Sequence, residues 1–317
     1  MGAWRWTGTG NPLALHDVPV PSPGPGEVLV RVRAAGMCHS DVGELDEPSW
    51  AENITRNPIT LGHEIAGDVA ALGAGVDSWS PGDRVGVHPL GATVPGYSRD
   101  GGYAAYTLAP ATDLVAMPDD LPYDLAAAGT DAGMTSHHAV VEVARVGPGS
   151  RVGIIGLGGL GQFGAQIALL RGAEVHAADT SPGAAALGRT MGLASVHGAA
   201  EDLAGLELDA VVDFAGFGST TAAALAAIRK GGDIVMVGMG AVHTTLVTAD
   251  VVHKLAHVHG SSGGTKDDIA QVYEHLARGE ITPTVEHLAF EDVPDGIERL
   301  RAGRLTGRLV VLVDGPA

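Results

Sequence analysis

The sequence predicts an α/β protein in which a doubly wound parallel sheet is joined to a second, mainly β domain. Two patterns indicate this. Up to about residue 120, short runs of β-forming residues alternate with proline–glycine turns, as in an antiparallel β domain. From Asp124 onward, continuous apolar runs alternate with helix-compatible segments, which is the pattern of a parallel sheet covered on both faces.

The amino-terminal region is predicted from its turns. Pro21–Glu27 has the sequence PSPGPGE, a rigid turn, and Val28–Gly36 after it is a strand of strong β-formers. Pro81–Val85 is a second turn that enters a strand, Gly86–Asp100 has loop character, and Gly101–Ala109 is a further strand. These elements fit one antiparallel domain.

A glycine-rich turn opens the core of the second region. The apolar run Arg151–Ile155 precedes glycines at G-x-G-x-x-G spacing, and a helix follows to Leu170. The first glycine allows a tight turn, the second leaves room for a pyrophosphate, and the third lets the helix pack close to the sheet. The helix N-terminus then faces the phosphates. We predict a dinucleotide site in a Rossmann sheet at Gly156, Gly158, Gly159, Leu160 and Gly161. The alternative is a turn without a ligand, since 47 of 317 residues are glycine.

Asp179 bears on which dinucleotide binds. It ends the second apolar run, Val175–Ala178, where a carboxylate accepts hydrogen bonds from both ribose hydroxyls and repels a 2′-phosphate. No arginine or lysine follows before Arg189. The sequence therefore favours NAD(H) over NADP(H).

The remaining elements continue the alternation of helix and strand. A helix is predicted over Leu125–Val143, with a break near Gly129–Gly133, and residues 303–313 return to short β structure. Predicted strands are Ala210–Gly216, Asp233–Met239 and His257–Gly264, and predicted helices are Thr220–Lys230 and Asp267–Gly279.

Composition limits the partners and the compartment. The formal net charge of −18 argues against nucleic-acid and anionic-membrane partners, because both surfaces would repel the chain. Cys38 is the single cysteine, so neither an intrachain disulfide nor a four-cysteine zinc site can form. No charged-then-apolar leader opens the sequence, and we expect a cytoplasmic protein.

Four residues at turn-rich element ends are candidate metal ligands: Cys38, His63, Glu64 and Asp131. A catalytic zinc needs about three protein ligands and one open position, and thiolate, imidazole and carboxylate together satisfy it. Their spacing alone does not bring them together. Each has an ordinary alternative: a small buried hydrophobe, a surface turn or a helix cap.

The chain resembles the zinc-dependent medium-chain dehydrogenases/reductases, the alcohol dehydrogenase group, over nearly its whole length. The resemblance is carried by several motifs in the family's order: PGPGEVLVRVRAAGMCHSD, ITLGHEIAGDVAALGAGV, PGDRV, GTDAGMTSHHAV, GIIGLGGLGQFGAQIA and AGRLTGRLVV. It implies a GroES-like catalytic domain over residues 1–132, completed by 266–317, and a Rossmann domain over 133–265.

The resemblance also implies individual roles at the metal. Cys38, His63 and Asp131 stand at the positions of the family's catalytic zinc ligands, and Glu64 stands at that of an acid that approaches the metal as a transient ligand. Ser40 matches the hydroxyl that passes the substrate proton.

Three further positions match cofactor contacts of the family. His39 corresponds to a residue near the pyrophosphate, Thr135 to a threonine at the nicotinamide end, and Arg308 to an arginine that returns to the pyrophosphate. The alternative for Arg308 is a solvated surface arginine.

Two departures from the family pattern matter. The short cysteine-free segment Gly86–Asp100 replaces the lobe that holds a structural zinc, so we expect one catalytic zinc per chain and no structural zinc. Gly43 stands where many members have a histidine that completes the proton relay. His88 is a candidate for a role at the site, whereas packing is favoured for His137 and His138.

The function implied is that of a zinc-dependent alcohol dehydrogenase or carbonyl reductase, which transfers a hydride between NAD(H) and a primary or secondary alcohol or carbonyl compound. The retained ligands disfavour a zinc-free reductase of activated C=C bonds. A zinc-retaining reductase of a conjugated or imine substrate stays open, as does a non-catalytic NAD(H)-binding sensor.

The predicted last strand of the sheet bears on assembly. Ala256–Ser262 contains no proline and no charge apart from its histidines, and an exposed sheet edge needs to be covered or paired. We therefore expect a homodimer that pairs these edges, and a tetramer remains open.

Overall fold

The computed structural model describes residues 1–303 and 305–313. The chain divides into two compact units. The first contains Met1–Asp131, Thr265–Arg278 and the described residues from Val285 onward, and the second contains Ala132–Gly264 and Gly279–Thr284.

The first unit is built on a mostly antiparallel sheet. Its described strands run in the order Val285–Ala289, Arg308–Leu312, Glu27–Met37, Glu64–Leu72, Arg84–Val87 and Leu114–Ala116, with Tyr106–Pro110 also paired to Glu27–Met37. A smaller antiparallel sheet has the order Ala14–Asp17, Gly2–Trp6 and Ile59–Thr60. Valine, isoleucine and leucine side chains of these strands form the core, because β-branched and apolar residues suit a buried pleated surface.

Helices of the first unit pack around this sheet. They are His39–Asp46, Pro48–Ala51, Tyr123–Ala128, Lys266–Ala277 and Val293–Arg301, with 3₁₀ turns at Ala111–Asp113 and Phe290–Asp292. Thr265 caps the helix Lys266–Ala277, because its side chain accepts from the Asp268 N–H while the Asp268 carboxylate accepts from the Thr265 N–H.

The second unit is a parallel sheet with helices between its strands. The strand order is Ser195–His197, Glu174–Ala178, Arg151–Ile155, Leu208–Asp213, Ile228–Met236 and His257–Gly260. The helices are Met134–His137, Gly161–Leu170, Pro182–Thr190, Ser219–Ala227 and Thr248–Lys254, with a 3₁₀ turn at Ala200–Leu203. In chain order the strands lie 3-2-1-4-5-6, the doubly wound order. The predicted fold class is confirmed.

The predicted interruption of the α-helix near Gly129–Gly133 is present, but it is a π-helical turn and not a break in the helical chain. The helix Tyr123–Ala128 passes into a π-helical turn, Gly129–Gly133, and then into Met134–His137 and a second π-helical segment, His138–Val143. Glycine lowers helix propensity, but here the wider turn absorbs it without ending the helix. Asp131 stands in this π-helical turn, a conformation that is common at functional sites.

Other boundaries also differ from expectation: the predicted strand Gly101–Ala109 is a strand only from Tyr106, and the predicted strand His257–Gly264 ends at Gly260. Ile228 begins a strand, although the predicted helix extended to Lys230. Within the described ranges, no helix is long and apolar enough to cross a lipid bilayer.

Candidate functional site

Cys38 lies where the strand Glu27–Met37 passes into the helix His39–Asp46. Its backbone N–H donates to Asp41 Oδ2 at 2.9 Å, which ties the cap to the first helical turn. Burial alone would raise the pKa of the Cys38 thiol, but the Arg308 charge and a hydrogen bond with His63 outweigh burial, and the pKa is lowered. The position therefore favours a thiolate, the form that binds metals.

His63 and Glu64 follow a turn that only glycine can make. Gly62 has φ +90°, and a Cβ there would lie 2.7 Å from the Tyr103 ring. His63 is buried, and Glu64 opens the strand Glu64–Leu72. The turn thus delivers an imidazole and a carboxylate to the end of the strand next to Cys38.

The four candidate ligands lie together in the first unit. One ligand atom each of Cys38, His63, Glu64 and Asp131 lies within 4.8 Å of all the others. His63 Nε2 is 3.8 Å from Asp131 Oδ2, near the separation of about 3.4 Å between tetrahedral zinc ligands. The structure therefore brings together residues that are far apart in the sequence.

The electrostatics of this cluster fit a cation. Burial would lower the pKa of His63, but hydrogen bonds with Asp131 and Cys38 and the charge of Asp41 raise it well above its usual value. The groups around His63 are thus negative enough to favour a proton on this buried imidazole. A divalent cation could take the place of that proton among these negatively charged groups, so the donor set and its charge suit zinc.

Asp41 belongs to the site, although the sequence analysis did not select it. The carboxylate is fully buried and accepts a hydrogen bond of 2.7 Å from the Tyr103 hydroxyl. Its Oδ1 lies 3.7 Å from His63 Nδ1, the nitrogen opposite the ligand cluster. At this distance the carboxylate acts on His63 through its charge, which raises the pKa of the imidazole. The acid three residues after Cys38 was the available signal.

Arg308 forms a buried ion pair with Glu64. Arg308 is 4% exposed, and its Nε lies 3.1 Å from Glu64 Oε2 while Nη2 contacts Oε1. The same Nη2 is 3.4 Å from Asp131 Oδ2. A Cβ at Gly36 would lie 2.0 Å from Glu64 Oε2, so glycine is needed beside the pair. The surface-arginine alternative is wrong, and Arg308 neutralises the carboxylates around the cluster.

Ser40 stands on the helical turn after Cys38, with its hydroxyl oxygen buried. The Tyr97 hydroxyl interacts with Ser40 and Glu44, and burial, followed by the Glu44 charge, raises the pKa of Tyr97. Burial and the nearby Asp41 raise the pKa of Glu44 to about 8. Exchangeable protons therefore lie beside Ser40. Sequence reasoning missed Tyr97 and Glu44 because no motif marks them.

Packing against Trp50 explains why position 43 is a glycine and not the histidine that completes the proton relay in many family members. A Cβ at Gly43 would lie 2.7 Å from the ring of Trp50, which belongs to the helix Pro48–Ala51. The indole thus occupies the space that a side chain at this position would need. His39 is exposed, whereas His88 and His137 are buried.

In the glycine-rich turn of the second unit, each of the three spaced glycines is required for a different reason. Gly156 has φ +85°, a conformation that L side chains rarely adopt. A Cβ at Gly158 would meet nothing within 4 Å, and a Cβ at Gly161 would lie 1.7 Å from the Gly156 carbonyl oxygen. Gly159 and Leu160 complete the turn before the helix Gly161–Leu170. The turn therefore offers open backbone beside a tightly packed helix start, as phosphate binding requires.

Asp179 and Thr135 are both connected to this turn. Asp179 Oδ2 accepts the Leu157 N–H at 2.6 Å, and Oδ1 accepts the Ser181 N–H at 2.7 Å. Thr135 is 5% exposed, and the hydroxyl of its neighbour Ser136 donates to the Leu160 carbonyl at 2.8 Å. The predicted cofactor residues of the second unit thus form one connected structure.

Comparison with known proteins agrees with this construction. Residues 24–119 match the family model for the alcohol dehydrogenase GroES-like domain, and residues 159–278 match that for the zinc-binding dehydrogenase. An alcohol dehydrogenase of Geobacillus stearothermophilus is 32% identical, over 96% of this chain and 97% of that protein.

Solved structures give the same result. Acetophenone reductase from Geotrichum candidum, in complex with NAD, is similar at a TM-score of 0.90 and 33% identity, covering 98% of this chain and 97% of that one. The alcohol dehydrogenase of the hyperthermophilic archaeon Aeropyrum pernix gives a TM-score of 0.91 and 27% identity, covering 99% and 100%. The chain therefore belongs to the medium-chain dehydrogenase/reductase family, as an oxidoreductase of the zinc-type alcohol dehydrogenase and carbonyl reductase group.

Proposed function

We propose that the chain oxidises a small alcohol, or reduces the matching carbonyl compound, with one zinc at Cys38, His63 and Asp131. The observation that carries this proposal is the cluster of a thiolate, an imidazole and carboxylates within 4.8 Å of one another. Zinc bound there would act as a Lewis acid toward the substrate oxygen. NAD(H) held at the glycine-rich turn of the second unit would carry the hydride.

The chain's own residues would handle charge and protons. Asp41 places a carboxylate oxygen 3.7 Å from His63 Nδ1, and Arg308 compensates Glu64, which stays beside the ligands without being one of the three permanent ones. Ser40 would take or return the hydroxyl proton. The buried Tyr97 and Glu44 beside it support a proton path that uses no histidine at position 43.

We assign Gly156, Gly158, Gly159, Leu160 and Gly161 to the pyrophosphate and Asp179 to the adenosine ribose. His39 and Arg308 are proposed pyrophosphate contacts, and Thr135 a nicotinamide contact. Both Asp179 oxygens already accept a backbone N–H, and each keeps a second lone pair for a ribose hydroxyl. The fixed carboxylate supports a preference for NAD(H).

A substrate panel tests the proposal. Nicotinamide absorbance should change with primary or secondary alcohols, and Ser40→Ala should lower kcat by about 10²–10⁴ while NADH affinity and zinc content hold. Turnover restricted to conjugated alkenes or imines would favour the zinc-retaining reductase instead. NADH binding without turnover of any class would indicate a sensor.

A further inference from the structure

A second group of metal-ligand side chains lies in the parallel-sheet unit. Asp233 is on the strand Ile228–Met236, and His257 and His259 are on the neighbouring strand His257–Gly260. One ligand atom from each residue lies within 4.8 Å of the other two. The register pairs Asp233 with His257, and His259 stands two residues further along, on the same face of its strand. The arrangement is therefore set by paired backbone.

The three side chains converge on one point. His259 Nε2 lies 2.7 Å and His257 Nδ1 lies 3.3 Å from the same carboxylate oxygen, Asp233 Oδ1. The two imidazole rings are 6.2 Å apart and inclined at 60°, so they approach the carboxylate from different directions. The side chains are 61% exposed at His257, 39% at His259 and 32% at Asp233. In the single chain an ion can therefore enter from solvent.

The surroundings leave room for further ligands. Asp233 lines a cavity of about 390 Å³ together with Arg145, Ser150, Asp209 and Arg229. Arg229 Nε donates to Asp209 Oδ1 at 2.6 Å, so the nearby guanidinium has its own acid, while Asp233 Oδ1 contacts the two imidazoles. Asp233 therefore borders both the two imidazoles and a cavity with room for water, although neither histidine lines that cavity.

We propose that Asp233, His257 and His259 bind a divalent transition-metal ion of the zinc–copper class, at a site separate from the catalytic cluster. Two imidazoles and one carboxylate are donors that these ions accept. The side chains need only small rotations, because their ligand atoms are already near the spacing of a coordination shell. The competing interpretation is a pair of histidine–aspartate hydrogen bonds without an ion.

Along the direction of the parallel strands, this site lies toward the opposite end from the glycine-rich turn. Asp233 is level with Ala210, which is level with Val152 near the start of its strand, whereas Gly156 follows the far end of that strand. Val152 and Gly156 are four residues apart, which corresponds to about 13 Å along a strand. An ion here would not compete with NAD(H).

Copper binding to the zinc-loaded protein tests the proposal. Calorimetric titration with Cu²⁺ should give one further equivalent per chain, with an electron paramagnetic resonance spectrum split by two imidazole nitrogens. The variant His257→Ala/His259→Ala should weaken this binding at least about 100-fold and remove the splitting, and Asp233→Asn should weaken it about tenfold. Copper that displaces zinc at Cys38 would still bind to both variants. The copper that the parent binds and the variants do not is therefore the copper held by Asp233, His257 and His259.

The matched control is His253→Ala, an exposed histidine of the same unit on the helix Thr248–Lys254. It should bind copper as the parent does. No further equivalent in the parent, equal binding in all variants, or an equal loss in the control would overturn the proposal. Alcohol oxidation by each variant reports separately on the proposed function, and failure there would leave the copper result standing.

Discussion

The ligand cluster of the first unit and the glycine-rich turn of the second unit are held by different forces. The cluster balances charge: a thiolate and carboxylates surround one imidazole, and Arg308 lies against Glu64 and Asp131. The turn depends on missing side chains, because Gly161 leaves no room for a Cβ and Gly158 faces open space. Removing a charge should therefore damage the first site and spare its fold. Adding one methyl group should damage the second site through its fold.

The largest effect on activity should come from the cluster. Cys38→Ser replaces the thiolate with a neutral hydroxyl, and we expect zinc loss and a fall in kcat of more than about 100-fold, since loss of an outer partner alone often costs 10–100-fold. Elemental analysis and turnover measure both. NADH affinity should change little, because the glycine-rich turn belongs to the other unit. Full activity with bound zinc would remove Cys38 from the ligand set.

Two separate glycine-to-alanine substitutions test the packing of the glycine-rich turn. Gly161→Ala places a Cβ 1.7 Å from the Gly156 carbonyl oxygen and should cost about 1–3 kcal/mol of unfolding free energy as well as NADH affinity. Gly158→Ala meets nothing within 4 Å and should change stability by less than about 0.5 kcal/mol while still weakening NADH. Thermal unfolding and NADH titration separate the two. Equal stability losses would contradict the packing argument.

The same contrast explains what the sequence could predict. The strand Arg151–Ile155, the glycines and Asp179 form one continuous segment whose determinants are local. The cluster draws on residues 38, 63 and 131, and only the family resemblance connected them. Tyr97 and Glu44 stayed unrecognised because their contacts arise from tertiary packing. Glycine propensity placed the interruption of the α-helix near Gly129–Gly133 but did not anticipate that it would be a π-helical turn.

The packing of Trp50 against Gly43 can be tested by placing the relay histidine of other family members at position 43. Gly43→His should destabilise the protein by about 1–3 kcal/mol, because the Trp50 ring fills the space beside this residue. Trp50→Ala in the same chain should recover part of that loss. Unfolding free energies of the parent, both single variants and the double variant measure the coupling. Additive losses would mean that the indole does not exclude a side chain here.

Cofactor choice should respond more modestly. Asp179→Gly with Thr180→Arg removes a carboxylate that repels a 2′-phosphate and adds a cation, and should shift the ratio of kcat/KM for NADH and NADPH about tenfold toward NADPH. Asp179→Asn is the matched control, since its carbonyl oxygen can still accept the Leu157 N–H. It should shift the ratio less. Equal use of both cofactors by the parent protein would contradict the role of Asp179.

The smallest effect on chemistry, and the clearest on mass, is expected at the sheet edge. Ser261 N–H donates to the Met236 carbonyl at 2.9 Å, and N–H groups of a strand alternate between its two sides. The N–H groups of His257 and His259 therefore point to the neighbouring strand, and that of Val258 points to the open edge.

We propose that this edge pairs with a second copy of the chain. Val258→Pro should then reduce the mass in light scattering from a dimer to the 32.1 kDa of one chain, with little change in unfolding temperature beyond the loss of dimer stabilisation. His259→Pro, on the same strand, should instead break the internal ladder and unfold the edge. A parent protein that already scatters as one chain at micromolar concentration would refute the pairing, and a Val258→Pro variant that remains a dimer would place the interface elsewhere.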